Sequence, residues 1–491
     1  MSNRREFIKT LLAGGGAIVV APGLLSGNSI TGAVRQALQQ NSTADEAWSQ
    51  AQKILARIKP PVFPKRDFDI TRYGAVGDGQ KDCTEAFQKA IAACNRAGGG
   101  RVVVPTGSFL TGAIHLKSNV NLHVTKNATI KFSRDPKKYL PVVFTRWEGM
   151  ELMNYSPFIY AFEQENIAIT GEGVIDGQAD CENWWPWKAR KGCGWKQGDP
   201  SQLPARNRLY EMVAQGTPVS ERVFGEGHYL RPQFIQPYRS KNVLIEGVTL
   251  RHSPMWQIHP VLCTNVTVRN VNVEREAGAT EQTGPNTDGC DPESCKDVLI
   301  EGCTFATGDD CIAIKAGRNN DGRRVAVPSE NIIIRNCRMK DGHGGITIGS
   351  EISGGVRNVF AYDCNLDSPI LSTAIRFKNN ALRGGLLENF YFRNITVGEV
   401  ADATITIDFN YEEGENGPFT PVVRNVFVNG LKSGKSQRAL DMQGFKKAPI
   451  TNINLENCTF DNVAKSNIVK NVEGLTIRNV RINGHLVTEA A

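Results

Sequence analysis

The sequence predicts an all-β chain: a right-handed, single-stranded parallel β-helix with a short N-terminal capping helix. Three observations predict it. A unit of Asn followed by alternating apolar residues recurs along the chain. Each unit is short and rich in Val, Ile and Phe. Gly and Asn stand at the joints, and no helical periodicity separates one unit from the next. The units read NIAITG from Asn166, NVLIEGVTL from Asn242 and NVTVRNVNV from Asn265, then DVLIEGCTF from Asp297, NIIIRNCRM from Asn331 and NVFAYDCNL from Asn358. NFYFRNITV from Asn389, NVFVNG from Asn425 and NINLENCTF from Asn452 complete the series. From Asn242 onward the starts lie 23, 32, 34, 27, 31, 36 and 27 residues apart, taken as differences of position. A recurring period in this range marks a solenoid, and period-2 alternation within each unit marks a strand. Successive coils then stack about 4.8 Å apart, the ordinary strand separation.

The elements follow in order. Arg4 and Arg5 precede an apolar, Gly-rich run from Leu11 to Leu25. This pattern predicts a twin-arginine export segment over 1–30 and a periplasmic or secreted protein with no membrane attachment after its removal. The run is short for a membrane span. Residues 31–66 read as a linker with a short helix, and the β-helix is expected over 67–485. Its first part holds a turn at Tyr73 to Gly79, then apolar residues at helical spacing: Phe87, Ala90, Ile91 and Cys94. A short amphipathic helix there would cap the open end of the array. The glycines at 98–100 follow this helix, so they are not read as a phosphate loop.

Between 176 and 238 the repeat lapses. This insertion carries Trp184, Trp185, Trp187 and Trp195, four of the seven tryptophans, among Lys188, Arg190, Lys191 and Lys196. Two readings stand: an aromatic and cationic surface for an anionic sugar, or a loop packed on itself. Of the twelve cysteines, Cys303, Cys337, Cys364 and Cys458 share one repeat position. They are expected as free thiols in an interior stack, whereas Cys181 and Cys193 stand close enough in one loop to pair. No Cys-x-x-Cys and no His-rich cluster occurs, so no metal site is expected. A net charge of +7 over 491 residues is no nucleic-acid pattern. Placement of the cations matters more than their sum.

Four polar clusters recur at the pitch of the coils. They are Asn286-Thr287-Asp288-Gly289, Gly308-Asp309-Asp310, Gly342-His343-Gly344 and Arg376-Phe377-Lys378. Asp288 to Asp310 is 22 residues, Asp310 to His343 is 33, and His343 to Arg376 is 33. On four stacked coils they would span roughly 14 Å, the length of a few sugar units. His259 precedes Asp288 by 29 residues and would extend the column by one coil. Asp309 and Asp310 are neighbours, which on a regular strand point to opposite faces, so both reach one groove only if the chain bends at Gly308. Crowded carboxyls cannot all ionise easily, so one is expected to keep a proton and serve as an acid.

The clusters resemble the pattern of glycoside hydrolase family 28, the polygalacturonases and their relatives, and the similarity runs from about Asp67 to Arg481. Three further segments resemble its bacterial exo-acting branch: Thr145 to Gly149, Met255 to Pro260, and Lys315 to Arg324. The last cluster has Phe377 where the family commonly has Ile. The resemblance implies a pectin-lyase-like solenoid, no cofactor, and a pectic polysaccharide or oligogalacturonide as substrate. The implied reaction is hydrolysis of α-1,4-galacturonosyl linkages with inversion. Carried over position by position, Asp309 is the general acid, Asp288 and Asp310 hold and activate water, and His343 tunes the acid. Arg376 and Lys378 grip a sugar carboxylate, and Asn286 and His259 contact substrate. Exo-action needs a groove closed at one end. The insertion and the cations Arg318, Arg323 and Arg324 are expected to form that wall. The alternatives are an endo-acting enzyme, a rhamnogalacturonan or xylogalacturonan hydrolase, a Ca²⁺-dependent pectate lyase on the same fold, and a binding protein with no catalysis.

Overall fold

The computed structural model describes residues 46–275 and 284–488. The expected export segment lies outside these. The chain divides into two units, Met1–Gln50 and Ala51–Ala491, and residues 46–57 are helical. Among the described residues, the strands of the larger unit form a thirteen-stranded, a fourteen-stranded and a six-stranded sheet. Each turn of the chain contributes one strand to each of the first two, and the six turns from Lys296 to Lys470 contribute one to the third. One coil runs Lys296–Glu301, Thr304–Phe305 and Ile312–Ile314; the next runs Ser329–Arg335, Arg338–Met339 and Gly342–Ile348. Equivalent strands pair in parallel and in register, Val298 with Ile332, Thr304 with Arg338, and Ile312 with Ile346. The parallel β-helix expected from the repeat is therefore present.

The repeating Asn has a definite job. Asn166, Asn242, Asn265, Asn331, Asn358, Asn389, Asn425 and Asn452 all have positive φ, between 54° and 64°, a conformation Asn tolerates better than most residues. Each turns the chain into a strand of the thirteen-stranded sheet. The side chains also form a ladder. Asn242 Nδ2 donates to Asn166 Oδ1 (2.8 Å), Asn358 to Asn331 (3.2 Å) and Asn452 to Asn425 (2.7 Å). Asp297 breaks the ladder because a carboxylate has no donor for Asn265. Lys59 N donates to Asn265 Oδ1 instead, and Arg57 donates to both oxygens of Asp297. The segment before the β-helix thus repairs the gap.

Inward residues stack in columns, such as Val243, Val266, Val298, Ile332 and Val359, each no more than 2% exposed. Burial of such apolar area is the main favourable term of the fold. Cys303, Cys337, Cys364 and Cys458 belong to this interior, as expected, and ten described cysteines are free and buried. Cys181 and Cys193 form a disulfide. The expected capping helix is Thr84–Arg96, with Phe87, Ala90, Ile91 and Cys94 turned inward. At the other end, His485–Val487 folds back antiparallel on Val480–Ile482 and closes the last sheet edge.

The insertion lies between the strands Val174–Asp176 and Ile235–Tyr238. It includes the helix Leu203–Ala214. Trp184 and Trp185 are buried in the main core, not in a core of the insertion's own. Trp184 packs edge-on against Tyr139, Phe158 and Trp187. These two tryptophans fasten the insertion to the coils and are not available to stack on a sugar.

Candidate active site

The third face of the solenoid begins as a three-stranded sheet, Ile114–His115, Ile159–Phe162 and Ile235–Tyr238. It continues through single bridges, Ile235 to Ile258, Ile258 to Cys290 and Cys290 to Ile312, into the six-stranded sheet. Ile312 then pairs with Ile346, and Ile346 with Ile375. The four sequence clusters therefore stand on four successive coils of one face. Regular pairing thins to single bridges on the coils that carry Asn286 to Glu293, which frees the backbone there to aim side chains.

The bend needed to bring Asp309 and Asp310 together is present: residues 308, 309 and 311 are bends before the strand Ile312–Ile314. Gly308 makes it possible by close approach. A Cβ there would lie 2.3 Å from Gly284 O and 2.6 Å from Thr287 Oγ1. Thr287 Oγ1 in turn accepts the Gly308 N–H at 3.0 Å. Gly344 is equally tight, its Cβ position 2.9 Å from Asp310 Oδ1. The result is that carboxylate oxygens of Asp288, Asp309 and Asp310 lie within 4.8 Å of one another.

Each carboxyl has a different environment. Lys378 Nζ donates to Asp310 Oδ2 at 2.5 Å, and Arg376 Nη1 is 3.8 Å from Oδ1. His343 Nδ1 is 3.0 Å from Asp309 Oδ1, while Asn286 Nδ2 reaches Asp309 Oδ2 at 3.5 Å. Lys315 Nζ is 3.7 Å from Asp288, 3.9 Å from Asp291 and 3.2 Å from Glu351. It also sits over the Trp256 ring, 4.1 Å from its centre. Burial, together with the charges of Asp309 and Asp291, pushes the Asp288 carboxyl well above the usual range. Burial pushes Asp309 the same way, but His343, Lys378 and Lys315 outweigh it and hold that carboxyl low. The expectation was that Asp309 would be the raised group. In the free site the shift falls on Asp288, because His343 and Lys378 act on Asp309 first. Two interacting carboxyls titrate as one system, and of this pair Asp288 is the one whose surroundings favour the proton.

The comparisons with known proteins agree with this geometry. Residues 224–482 match the model of glycosyl hydrolases family 28, and residues 68–135 match a rhamnogalacturonase A/epimerase, pectate lyase-like model. A crystal structure of a hyperthermoactive exopolygalacturonase from Thermotoga maritima is 47% identical, with TM-score 0.86 over 90% of this chain and 97% of its own. The chain belongs to glycosyl hydrolase family 28. An exo-poly-alpha-D-galacturonosidase of Dickeya chrysanthemi is 26% identical, covering 95% of this chain and 81% of its own length. A probable polygalacturonase of Vitis vinifera is 28% identical over 83% of this chain and 77% of its own length.

One side of this family 28 groove is covered. The hairpin Val143–Trp147 with Met150–Asn154 lies over the third face on the coils before Asp288. Tyr160 donates to Phe144 O at 2.5 Å, Gln236 Nε2 to Arg146 O at 3.0 Å, and Tyr238 to Glu151 Oε1 at 2.5 Å. His259 does extend the column, but it is fully buried. Its Nε2 is 2.8 Å from Glu293 and its Nδ1 is 3.0 Å from Gln236. It supports the hairpin from below and does not face a substrate. On the opposite side His343 and Arg376 keep side-chain exposures of 28% and 25%.

The three arginines expected in the wall are there, but as ties. Arg318 is 4% exposed and pairs with Glu351 (3.3 Å) and Glu412 (3.2 Å). Arg323 lies 3.5 Å over the Phe419 ring and donates to Leu382 O and Arg383 O. Arg324 joins Asp321 (2.8 Å) to Glu151 (2.6 Å). All three guanidinium groups pair within the protein, while Arg324 keeps 45% of its side chain exposed.

Sequence reasoning passed over Lys315, Asp291, Arg231 and Glu148. Lys315 looked like the start of a basic run, yet it stands three residues after Ile312 with a strand between, a position that alternation assigns to the outer face. Among the described residues, Asp288, Asp309 and Asp310 are also the one acidic group able to share a cation. Asp310 already faces two cations and Asp288 one. A calcium site instead draws on six to eight oxygen ligands, which fits this donor set poorly.

Proposed function

We propose that the chain is an exo-acting polygalacturonase that hydrolyses the α-1,4 linkages of polygalacturonate from one end. The observation that carries this is the stacking of three carboxyls, one imidazole and two cations on four consecutive coils, beside a covered end of the groove. Arg376 and Lys378 bind the carboxylate of the sugar at the reaction centre, Arg by its planar fork and Lys as a point charge. Asp309 is the carboxyl that reaches the groove, 15% exposed against 4% for Asp288 and 0% for Asp310. Substrate covering Asp309 and His343 displaces their water, which favours the proton on Asp309. The glycosidic C–O bond breaks as its oxygen takes that proton. Water held by Asp288 and Asp310 adds to the anomeric carbon from the opposite face and loses its proton to that pair.

The carboxyls are closer than the roughly 6.5–9.5 Å usual for inversion. Inversion is still the better reading, because Lys378 holds Asp310 and Lys315 holds Asp288, so neither is a free nucleophile. The test is product analysis over time on polygalacturonate, with Asp309→Asn as control. Early release of only the shortest product is expected, with its newly formed anomeric proton in the β configuration by NMR. Asp309→Asn should lower kcat by about 10²–10⁴-fold. A ladder of oligomers would refute exo-action, and an α product would refute inversion.

A further inference from the structure

Lys188, in the insertion, is nearly buried at 11% side-chain exposure, and its closest carboxylate oxygen among the described residues is Glu148 Oε1, 4.0 Å away. That is beyond hydrogen-bond reach. Glu148 is itself oversubscribed. Arg206 Nε lies 3.2 Å and Arg318 Nη1 3.9 Å from Oε2, and Tyr210 donates to the same oxygen at 2.9 Å. A fifth group, Arg231, adds a buried positive charge with only neutral partners: Gln202 Oε1, Pro254 O, Pro285 O and Asn286 Oδ1, at 2.7–3.0 Å. This corner therefore holds more positive than negative charge. Burial pushes the Lys188 ammonium down to about 8, with Arg231 and Arg206 adding to the fall and Glu148 and Asp309 opposing it. Buried charge without hydrogen-bonded compensation is costly, and an incoming anion would relieve it.

The corner adjoins the reaction centre. Arg231 donates to Asn286, and Asn286 reaches Asp309. Gln202, which accepts from Arg231, donates its backbone N–H to Trp187 O at 2.7 Å, next to Lys188. Lys188 thus stands on the covered side of Asp309, and Arg376 and Lys378 stand two coils beyond. We propose that Lys188 is the receptor for a second sugar carboxylate, that of the unit lying against the wall. This rests on the polygalacturonate reading. It gives the covered end a chemical preference: an end unit with a free carboxylate, not a neutral or esterified one.

The test compares Lys188→Met with the unmodified enzyme on trigalacturonate and on the same trisaccharide methyl-esterified at the unit placed against the wall. The expected result for Lys188→Met on the free acid is a KM raised roughly ten- to hundred-fold, the range for a lost charged hydrogen bond, with kcat changed less than about threefold. On the ester the two proteins should differ little, and Lys188→Arg should recover part of the affinity. Unchanged KM on the free acid, or an equal loss on acid and ester, would overturn the receptor and leave Lys188 a packing residue. Failure of the unmodified enzyme to cleave the free acid would overturn the substrate reading, and the receptor with it.

Discussion

Asp291 is fully buried, and neither of its oxygens has a hydrogen bond. Burial pushes its carboxyl well above the usual range against the pull of Lys315, with Asp310 adding to the rise. The direction of its effect on stability follows. Below the unfolded-state value of about 3.9 both states hold the proton. As pH rises, the unfolded chain releases it while the folded protein keeps it, so stability falls until the folded group ionises too. Asp291→Asn removes this loss. Its melting temperature relative to the parent should improve as pH rises above about 4, until the folded carboxyl ionises, read by thermal melts across a pH series. A difference independent of pH would mean that Asp291 is already ionised. The reason this residue was not legible in the sequence is physical. Alternation from the inward Cys290 places Asp291 on the outer face, but the cation it meets there, Lys315, comes from 24 residues further on, and Glu351, which shares that cation, from 60. The six residues of the clusters were legible because their coil spacing repeats. Their proton balance was not, because it depends on which cation each carboxyl meets.

At the scale of elements, the informative segment is the bend before Ile312–Ile314. The sequence states the requirement, that two adjacent aspartates share a groove, and names the residue that permits it. It does not say how tight the bend is. With Gly284 O and Thr287 Oγ1 where a Cβ would stand, Gly308→Ala must push Thr287 or the Asp309 backbone aside. The expected cost is about 1–3 kcal/mol of stability for overpacking, and a far larger effect on kcat. A shift of about 1 Å in a reacting group costs roughly 10²-fold. A chemical melt and kcat on polygalacturonate measure the two together, and an alanine variant with parental kcat would show that the bend does not aim Asp309. The insertion teaches the opposite lesson. Its composition suggested a sugar-binding surface, but Trp184 and Trp185 are core residues. Composition reports that aromatics and cations are near in sequence, whereas burial decides that these tryptophans belong to the core and not to a surface.

At the scale of the molecule, a solenoid offers an open groove along its length, and exo-action requires that something end it. The end piece is built from three parts far apart in sequence, and Asp321 joins them. Its Oδ2 accepts the Glu151 N–H of the hairpin at 2.7 Å. Its Oδ1 accepts from Arg222 of the insertion at 2.8 Å and from Arg324 of its own helix at 2.8 Å. Arg222 is 2% exposed and Asp321 wholly covered, so removing the carboxylate leaves the buried Arg222 guanidinium without its charged partner. Such a loss costs about 3–5 kcal/mol. Solenoid coils contact chiefly their neighbours, so the damage from Asp321→Ala should stay in the wall and leave the coils from Asp288 to Lys378 folded. The expected outcome is an enzyme that still cuts polygalacturonate but loses end selection, with longer oligomers among its earliest products by chromatography. Arg222→Met, which breaks the same joint from the other side, should give the same shift. If both variants remain active and still release only the shortest product, the groove is ended by something other than this three-part joint.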